Sequence, residues 1–121
     1  MDASESYAKA MRLREEEYKK SPPVIQAHHR RQIREKRPGT PHLINRLVCK
    51  DGFSMSVQAS ADHGCTPRTN LTSGQYTHWE VGFPRPHEPL LAPYIDALGQ
   101  IANYVPTHVI DRIIHKHGGL K

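Results

Sequence analysis

Four side chains able to bind a borderline metal ion fall in the middle of the chain: Cys49, His63, Cys65 and His78. Thiolates and imidazoles in a set of four are what a tetrahedral Zn²⁺ site requires. Such a site would also add folding energy to a segment with little apolar content of its own. Against it stands the absence of a Cys-x-x-Cys pair, and Cys49 reads equally well as a small buried residue of a strand. A second trio, His108, Asp111 and His115, is spaced i, i+3, i+7 on one helix face; the simpler reading is the solvated side of that helix, with the histidines serving its C-terminal dipole. Cys65 with His63 or His78 as base would be a nucleophile pair, but neither an oxyanion hole nor an orienting third group is legible. Phosphate-cradling glycine loops, Gly-x-Ser-x-Gly and a framed carboxylate pair are likewise missing. The residues therefore point away from an enzyme. They imply no cofactor, unless one zinc ion is held by the four residues named first.

The elements that must position these residues come from a chain of 121 residues, of which 36% are apolar and 18 are Gly or Pro. Only part of it can supply a compact core. The formal charge of +5 is uneven. Residues 1–41 hold ten Lys or Arg against six Asp or Glu, while residues 42–121 hold seven against six. The basic excess thus belongs to the first third. The absence of Gly and Pro predicts a helix over 4–20, stopped by Ser21-Pro22-Pro23. A second helix is predicted over 23–36, with a proline in its first turn. It carries His28, His29, Arg30, Arg31, Arg34 and Lys36, with Arg37 just beyond, against the single acid Glu35. Pro38-Gly39-Thr40-Pro41 reads as a hinge, which divides the chain into a basic helical arm at 1–41 and a small domain at 42–121.

The domain opens with a hairpin whose strands, 43–50 and 53–59, flank Asp51-Gly52, the pair favoured in type I′ turns. With Lys50 opposite Phe53, Val48 should face Met55, and Phe53, Met55 and Val57 should share the buried face. Residues 60–74 form a long polar loop of a length that usually binds something or is tied down. A third strand is expected over 75–83, then a short helix within 90–102. The last element is a helix opened by Pro106. Its buried stripe is Val109, Ile110, Ile113 and Ile114, and Gly118 caps it. The expected fold is α+β: a small antiparallel sheet packed on a C-terminal helix, with the basic helical arm in front. Tyr76, Trp79, Phe83 and Tyr104 could form an aromatic contact surface, or Trp79 or Phe83 could fill the core.

Several strings within residues 46–119 resemble a group of small uncharacterised bacteriophage and prophage proteins. They are Cys49-Lys50-Asp51-Gly52-Phe53-Ser54-Met55-Ser56-Val57-Gln58-Ala59, Cys65 with Pro67-Arg68, Glu80-Val81-Gly82-Phe83-Pro84, Tyr104-Val105-Pro106, and His117-Gly118-Gly119. The resemblance brings no activity with it. It implies a phage origin and an accessory protein that binds a host protein or nucleoprotein complex, with inhibition of a host defence system as one outcome.

The contact residues expected for such a partner, or for nucleic acid, are His28, His29, Arg30, Arg31, Arg34, Lys36 and Arg37, because guanidinium groups along a helix suit phosphate backbones and acidic surfaces. Two alternatives stand beside this reading. One is a virion or assembly component whose arm contacts neighbouring subunits, which would make it a homo-oligomer. The other is a zinc-supported nucleic-acid-binding module. No apolar run approaches the ~20 residues needed to cross a bilayer, and the first residues lack the pattern of a signal peptide. The expected location is the host cytoplasm or the virion, with both cysteines reduced.

Overall fold

The computed structural model describes residues 23–121; the helix expected over 4–20 lies outside them. The fold is α+β. Helix α1 (Val24–Arg34) comes first, then strands β1 (Leu47–Val48), β2 (Ser54–Gln58) and β3 (His78–Arg85). A single 3₁₀ turn at Pro89–Leu91, strand β4 (Ile101–Pro106) and helix α2 (Thr107–Lys116) complete it. The strands form one antiparallel sheet in the order β1-β2-β3-β4.

The core is what the apolar pattern requires. Met55 and Val57 of β2, with Phe53 just before it, join Trp79 and Val81 of β3 and Ala102 and Val105 of β4. The same cluster includes Ile110, Ile113 and Ile114 of α2 and Ile25 of α1. Trp79 is fully buried, and its indole N–H donates to Thr107 Oγ1 at 2.8 Å, tying the start of α2 to the sheet. At the other end of α2, Gly118 and Gly119 adopt φ of +90° and +93°. Their N–H groups donate to His115 O and Ile114 O at 3.1 and 2.9 Å, which closes the helix with the paired bonds of a Schellman motif.

The hairpin forms, but not with the expected turn. Gly52 N–H donates to Cys49 O at 3.0 Å and Cys49 N–H to Phe53 O at 2.8 Å. The loop is therefore three residues, 50–52, with Gly52 in the left-handed region at φ +94°, the bulged alternative to a two-residue turn. The register moves by one: Leu47, not Val48, pairs with Met55. Because side chains alternate, that single step puts Leu47 in the core at 2% exposure and Val48 outside at 41%.

Strand β4 takes the place of the short helix expected within 90–102, of which only the 3₁₀ turn exists. Its alternation is broken by a bulge. Trp79 pairs with Val105 and Val81 with Ala102, so Asn103 and Tyr104 stand opposite the single residue Glu80. A second bulge lies between β2 and β3. Ser54 pairs with Arg85 and Ser56 with Gly82, which leaves Phe83 and Pro84 opposite Met55.

Both edges of the sheet are occupied. Along β1 the chain's last residues run antiparallel: Lys50 N–H donates to Gly119 O, Lys121 N–H to Val48 O, both at 2.9 Å, and Cys49 pairs with Leu120. Along β4, Asp96 N–H donates to Ile101 O at 2.8 Å, Asn103 N–H to Tyr94 O at 3.3 Å and Tyr104 N–H to Gly64 O at 3.0 Å.

Of the expected arm at 1–41, the structure describes residues 23–41, and there α1 shares the core of the domain instead of standing in front of it. Ile25 and His29 are fully buried. The 60–74 loop is tied to the same helix. Gly74, at φ +73°, comes so close that a Cβ there would sit 2.3 Å from Gln26 O, and Gln26 Nε2 donates to Tyr76 O at 3.1 Å. No helix among the described residues is long and apolar enough to cross a membrane.

Candidate functional site

The basic residues of α1 divide by helical position. Arg30, Arg31 and Arg34, spaced i, i+1, i+4, are exposed, as is Arg37 just past the helix. They form one outward stripe. Lys36 and His28 are half-buried. Arg31 Nη2 donates to His28 Nδ1 at 3.1 Å, and burial, then the Arg31 charge, hold His28 below its ordinary pKa.

His29 does not belong to the expected contact set, because it is 0% exposed. Its ring lies 5.2 Å from Trp79, 5.4 Å from Tyr76 and 5.5 Å from His42, centroid to centroid. Neither ring nitrogen has a hydrogen-bond partner among the described residues. Burial, reinforced by His42 and His28, pushes its pKa down to about 4. At neutral pH it is an uncharged packing residue that seats α1 on the sheet.

The inner side of α1 is fixed at several points, which gives the arginine stripe a rigid base. The Asp111 carboxylate accepts from Val24 N and Ile25 N. At the other end of the helix, Gln32 Oε1 accepts from Asn45 N at 2.8 Å. Asp111 is therefore not part of a solvated His108–Asp111–His115 face; it is 6% exposed and turned toward α1.

The four expected zinc ligands are split across the sheet. Cys49 sits where β2 begins, opposite Phe53 and Leu120. Cys65 and His78 lie at the other end, where β3 begins and Thr66 pairs with His78. His63 shares a loop with Cys65, its Nδ1 bonded to Ser60 Oγ and its Nε2 4.0 Å from Glu80 Oε2. His78 Nδ1 is 2.9 Å from Thr77 Oγ1. Cys49 thus cannot close a tetrahedron with the other three in this fold, and among the described residues no three His, Cys, Asp or Glu are grouped to hold a metal ion. The Cys65 thiol, 2% exposed, donates to Ser60 O at 3.1 Å. Burial first, with Glu80 adding to it, raises its pKa, and a neutral buried thiol is a poor nucleophile. Burial raises the Cys49 thiol as well, with Asp51 adding to the effect.

One polar cluster was not foreseen from the sequence. Glu88, just before the 3₁₀ turn, is 1% exposed. Its carboxylate accepts from Leu90 N at 2.8 Å, from Lys116 Nζ at 3.0 Å and from His117 Nε2 at 2.7 Å. Burial disfavours its charge, but the bonds from Leu90, His117 and Lys116 outweigh it and hold the pKa below the ordinary value. His117 Nδ1 lies 2.6 Å from Asp51 Oδ2, and Phe53 stacks on the imidazole at 4.1 Å and 10°. Both ring nitrogens of His117 are thus engaged by carboxylate oxygens, one from Asp51 and one from Glu88. The arrangement is a clasp, and it joins the Lys50-Asp51-Gly52-Phe53 turn to His117-Gly118-Gly119 and to Glu88. Two of those strings were noted in the sequence separately. Their meeting was legible only in that each ends a clear element; Glu88, in a proline-rich stretch, gave no local signal.

The aromatic residues divide in the same manner. Tyr76 and Trp79 are core, whereas Phe83 and Tyr104 remain 47% and 49% exposed. Compared with protein-family models, with curated proteins and with solved structures, the chain matches none.

Proposed function

We propose that this chain is a non-enzymatic accessory protein of phage origin that binds a host protein or nucleoprotein complex through the outward face of α1, with inhibition of a host defence system as one outcome. The observation that carries this reading is the exposed stripe of Arg30, Arg31 and Arg34, continued by Arg37, on a helix whose opposite side is locked into the core. A preset row of guanidinium groups suits carboxylate or phosphate partners, because each group is always charged and presents a planar fork of donors. Having its helix already folded and anchored spares the ordering cost that a free arm would meet on binding.

The test is affinity purification of the tagged protein from a bacterial host, with and without nuclease, followed by mass spectrometry. The expected result is one host partner that survives nuclease and is lost on Arg30→Glu, Arg31→Glu and Arg34→Glu together, with the melting temperature unchanged. Recovery of the chain alone, as a defined oligomer, would replace the reading with an assembly role. Retention of the partner by the triple variant would remove α1 from the contact.

A further inference from the structure

Phe83 and Tyr104 are the only non-glycine residues with positive φ among those described, at +49° and +53°. Large side chains rarely tolerate this region, and where they are held in it the surrounding structure imposes the strain, often at a ligand site. Each residue lies in one of the two bulges of the sheet. Both rings are about half exposed. The chain has only two phenylalanines and one tryptophan; Phe53 and Trp79 are in the core. Phe83 is directed outward under backbone strain, so core packing does not account for it.

The backbone around Phe83 is held on both sides. Its N–H donates to Gln100 O at 2.6 Å, and its carbonyl accepts from Arg46 Nη2. Arg46 Nε also donates to Ser54 Oγ at 2.9 Å and Nη2 to Ser54 O at 3.2 Å. These bonds leave Nη1 uncommitted among the described residues. Arg85 is exposed and stands directly opposite Ser54 in the ladder. Arg46 therefore grips the backbone that carries the exposed ring, and Arg85, two residues along the same strand, is close enough for its charge to act on Arg46. Among the described residues neither is paired with a carboxylate, and no Asp or Glu occurs in 42–50 or 81–87. Burial and the neighbouring Arg85 both act against the charge on Arg46, a cost that an incoming anion would offset.

We propose that this end of the sheet binds single-stranded nucleic acid, with a base stacked on Phe83 and a backbone phosphate held by Arg46 and Arg85. An aromatic face beside guanidinium groups matches the two parts of a nucleotide, and it takes any base because every base has a flat face. A duplex keeps its bases stacked on each other and cannot offer one. The surface is separate from the arginine stripe of α1, so each can fail without the other.

The experiment is fluorescence anisotropy of the full chain with labelled dT15, rU15 and a 15-base-pair duplex at low and moderate salt. Both single strands should bind, more weakly as salt rises, and the duplex should bind less well. Phe83→Gly should weaken single-strand binding about tenfold or more while leaving the melting temperature unchanged or higher, because glycine accepts φ of +49° without strain. Phe83→Trp, which keeps a stacking face, should bind at least as tightly as the parent, and Arg85→Glu should bind less. The Phe83 effect should persist in the Arg30/Arg31/Arg34→Glu background, which separates this surface from α1. Undiminished binding by Phe83→Gly, loss of binding in Phe83→Trp, equal affinity for the duplex, or displacement by a poly-glutamate peptide but not by unlabelled dT15 would each overturn the proposal.

Discussion

The carboxylate of Asp111, in the second turn of α2, closes the start of α1: it accepts from Val24 N at 2.7 Å and from Ile25 N at 3.0 Å, across 86 residues of chain to the latter. Helix α1 has no side-chain cap of its own, since its N-cap residue is Pro23. Two of the N–H groups that every helix leaves free at its start are thus satisfied from another helix. The negative charge also faces the positive end of the α1 dipole. Burial raises the Asp111 pKa, and the Ile25 and Val24 N–H groups only partly counter this.

Asp111→Ala should therefore lower unfolding stability by about 2 kcal/mol, because it leaves two N–H groups without an acceptor. Asp111→Asn keeps one acceptor oxygen and should cost less, about 1 kcal/mol. Urea titrations followed by the fluorescence of the buried Trp79 would show both; equal midpoints for Asp111→Ala and the parent would remove the cross-helix cap.

Stability should fall on mild acidification. His29 is neutral when folded, with its pKa at about 4 against an ordinary 6.5. The unfolded chain therefore takes up this proton first, so the contribution is whole above pH 6.5 and is lost as pH drops from 6.5 to about 4. The full loss would be about 3 kcal/mol. His28 and His42 are also held low, chiefly by burial, and act in the same direction. Asp111 acts oppositely, gaining its proton more readily in the folded state. Urea midpoints at pH 7.5, 5.5 and 4.5 should decline in order, and His29→Phe should flatten the slope between the last two.

Glu88 makes an asymmetric prediction. Glu88→Ala strands Lys116 and His117 without their shared acceptor and should cost about 2 kcal/mol, the range of hydrogen bonds to a charged group. Lys116→Ala should cost under about 1 kcal/mol, since that side chain is 45% exposed and only one of Glu88's bonded partners. The Glu88 pKa is below its ordinary 4.5, so its contribution is present above pH 4.5 and is lost as pH falls further. Thermal melts of the two variants at pH 7 would separate them.

Truncation at the hinge should fail. Without residues 1–41, Asp111 would lose both its donors and Ile25 would leave the core, while Tyr76 and Trp79 would lose the His29 ring. Residues 42–121 alone should give a poorly dispersed amide spectrum. A well-dispersed spectrum from 42–121 would restore the arm-and-body division.

Much of this was readable in the chain, and the exceptions have specific causes. The α2 stripe of Ile110, Ile113 and Ile114 and the β2 face of Phe53, Met55 and Val57 follow directly from helical and strand periods. The Val48 register was misplaced because Asp-Gly suits two turn lengths, and a one-residue difference inverts the whole face. β4 was hidden because its bulge puts both Ala102 and Val105 inward, three positions apart, which no period-two pattern contains. The outward arginines of α1 were visible, but the burial of His29 among them was not: its neighbours His42, Tyr76 and Trp79 come from distant segments. Cys49 and Cys65 looked like one ligand set because sequence distance does not reveal which end of an antiparallel strand a residue occupies.

The lining of both sheet edges has a consequence for how this molecule meets others. A strand with free N–H and C=O groups invites another chain to extend the sheet, and many peptide complexes form by that route. Here residues 119–121 hold one side, and the 94–96 segment with Gly64 holds the other. Among the described residues, the backbone positions that a partner strand would use along β1 and β4 are thus already taken by the chain itself. Exposed side chains such as Arg30, Arg34 and Phe83 take no part in that pairing, so each can be altered without disturbing the way the sheet ends.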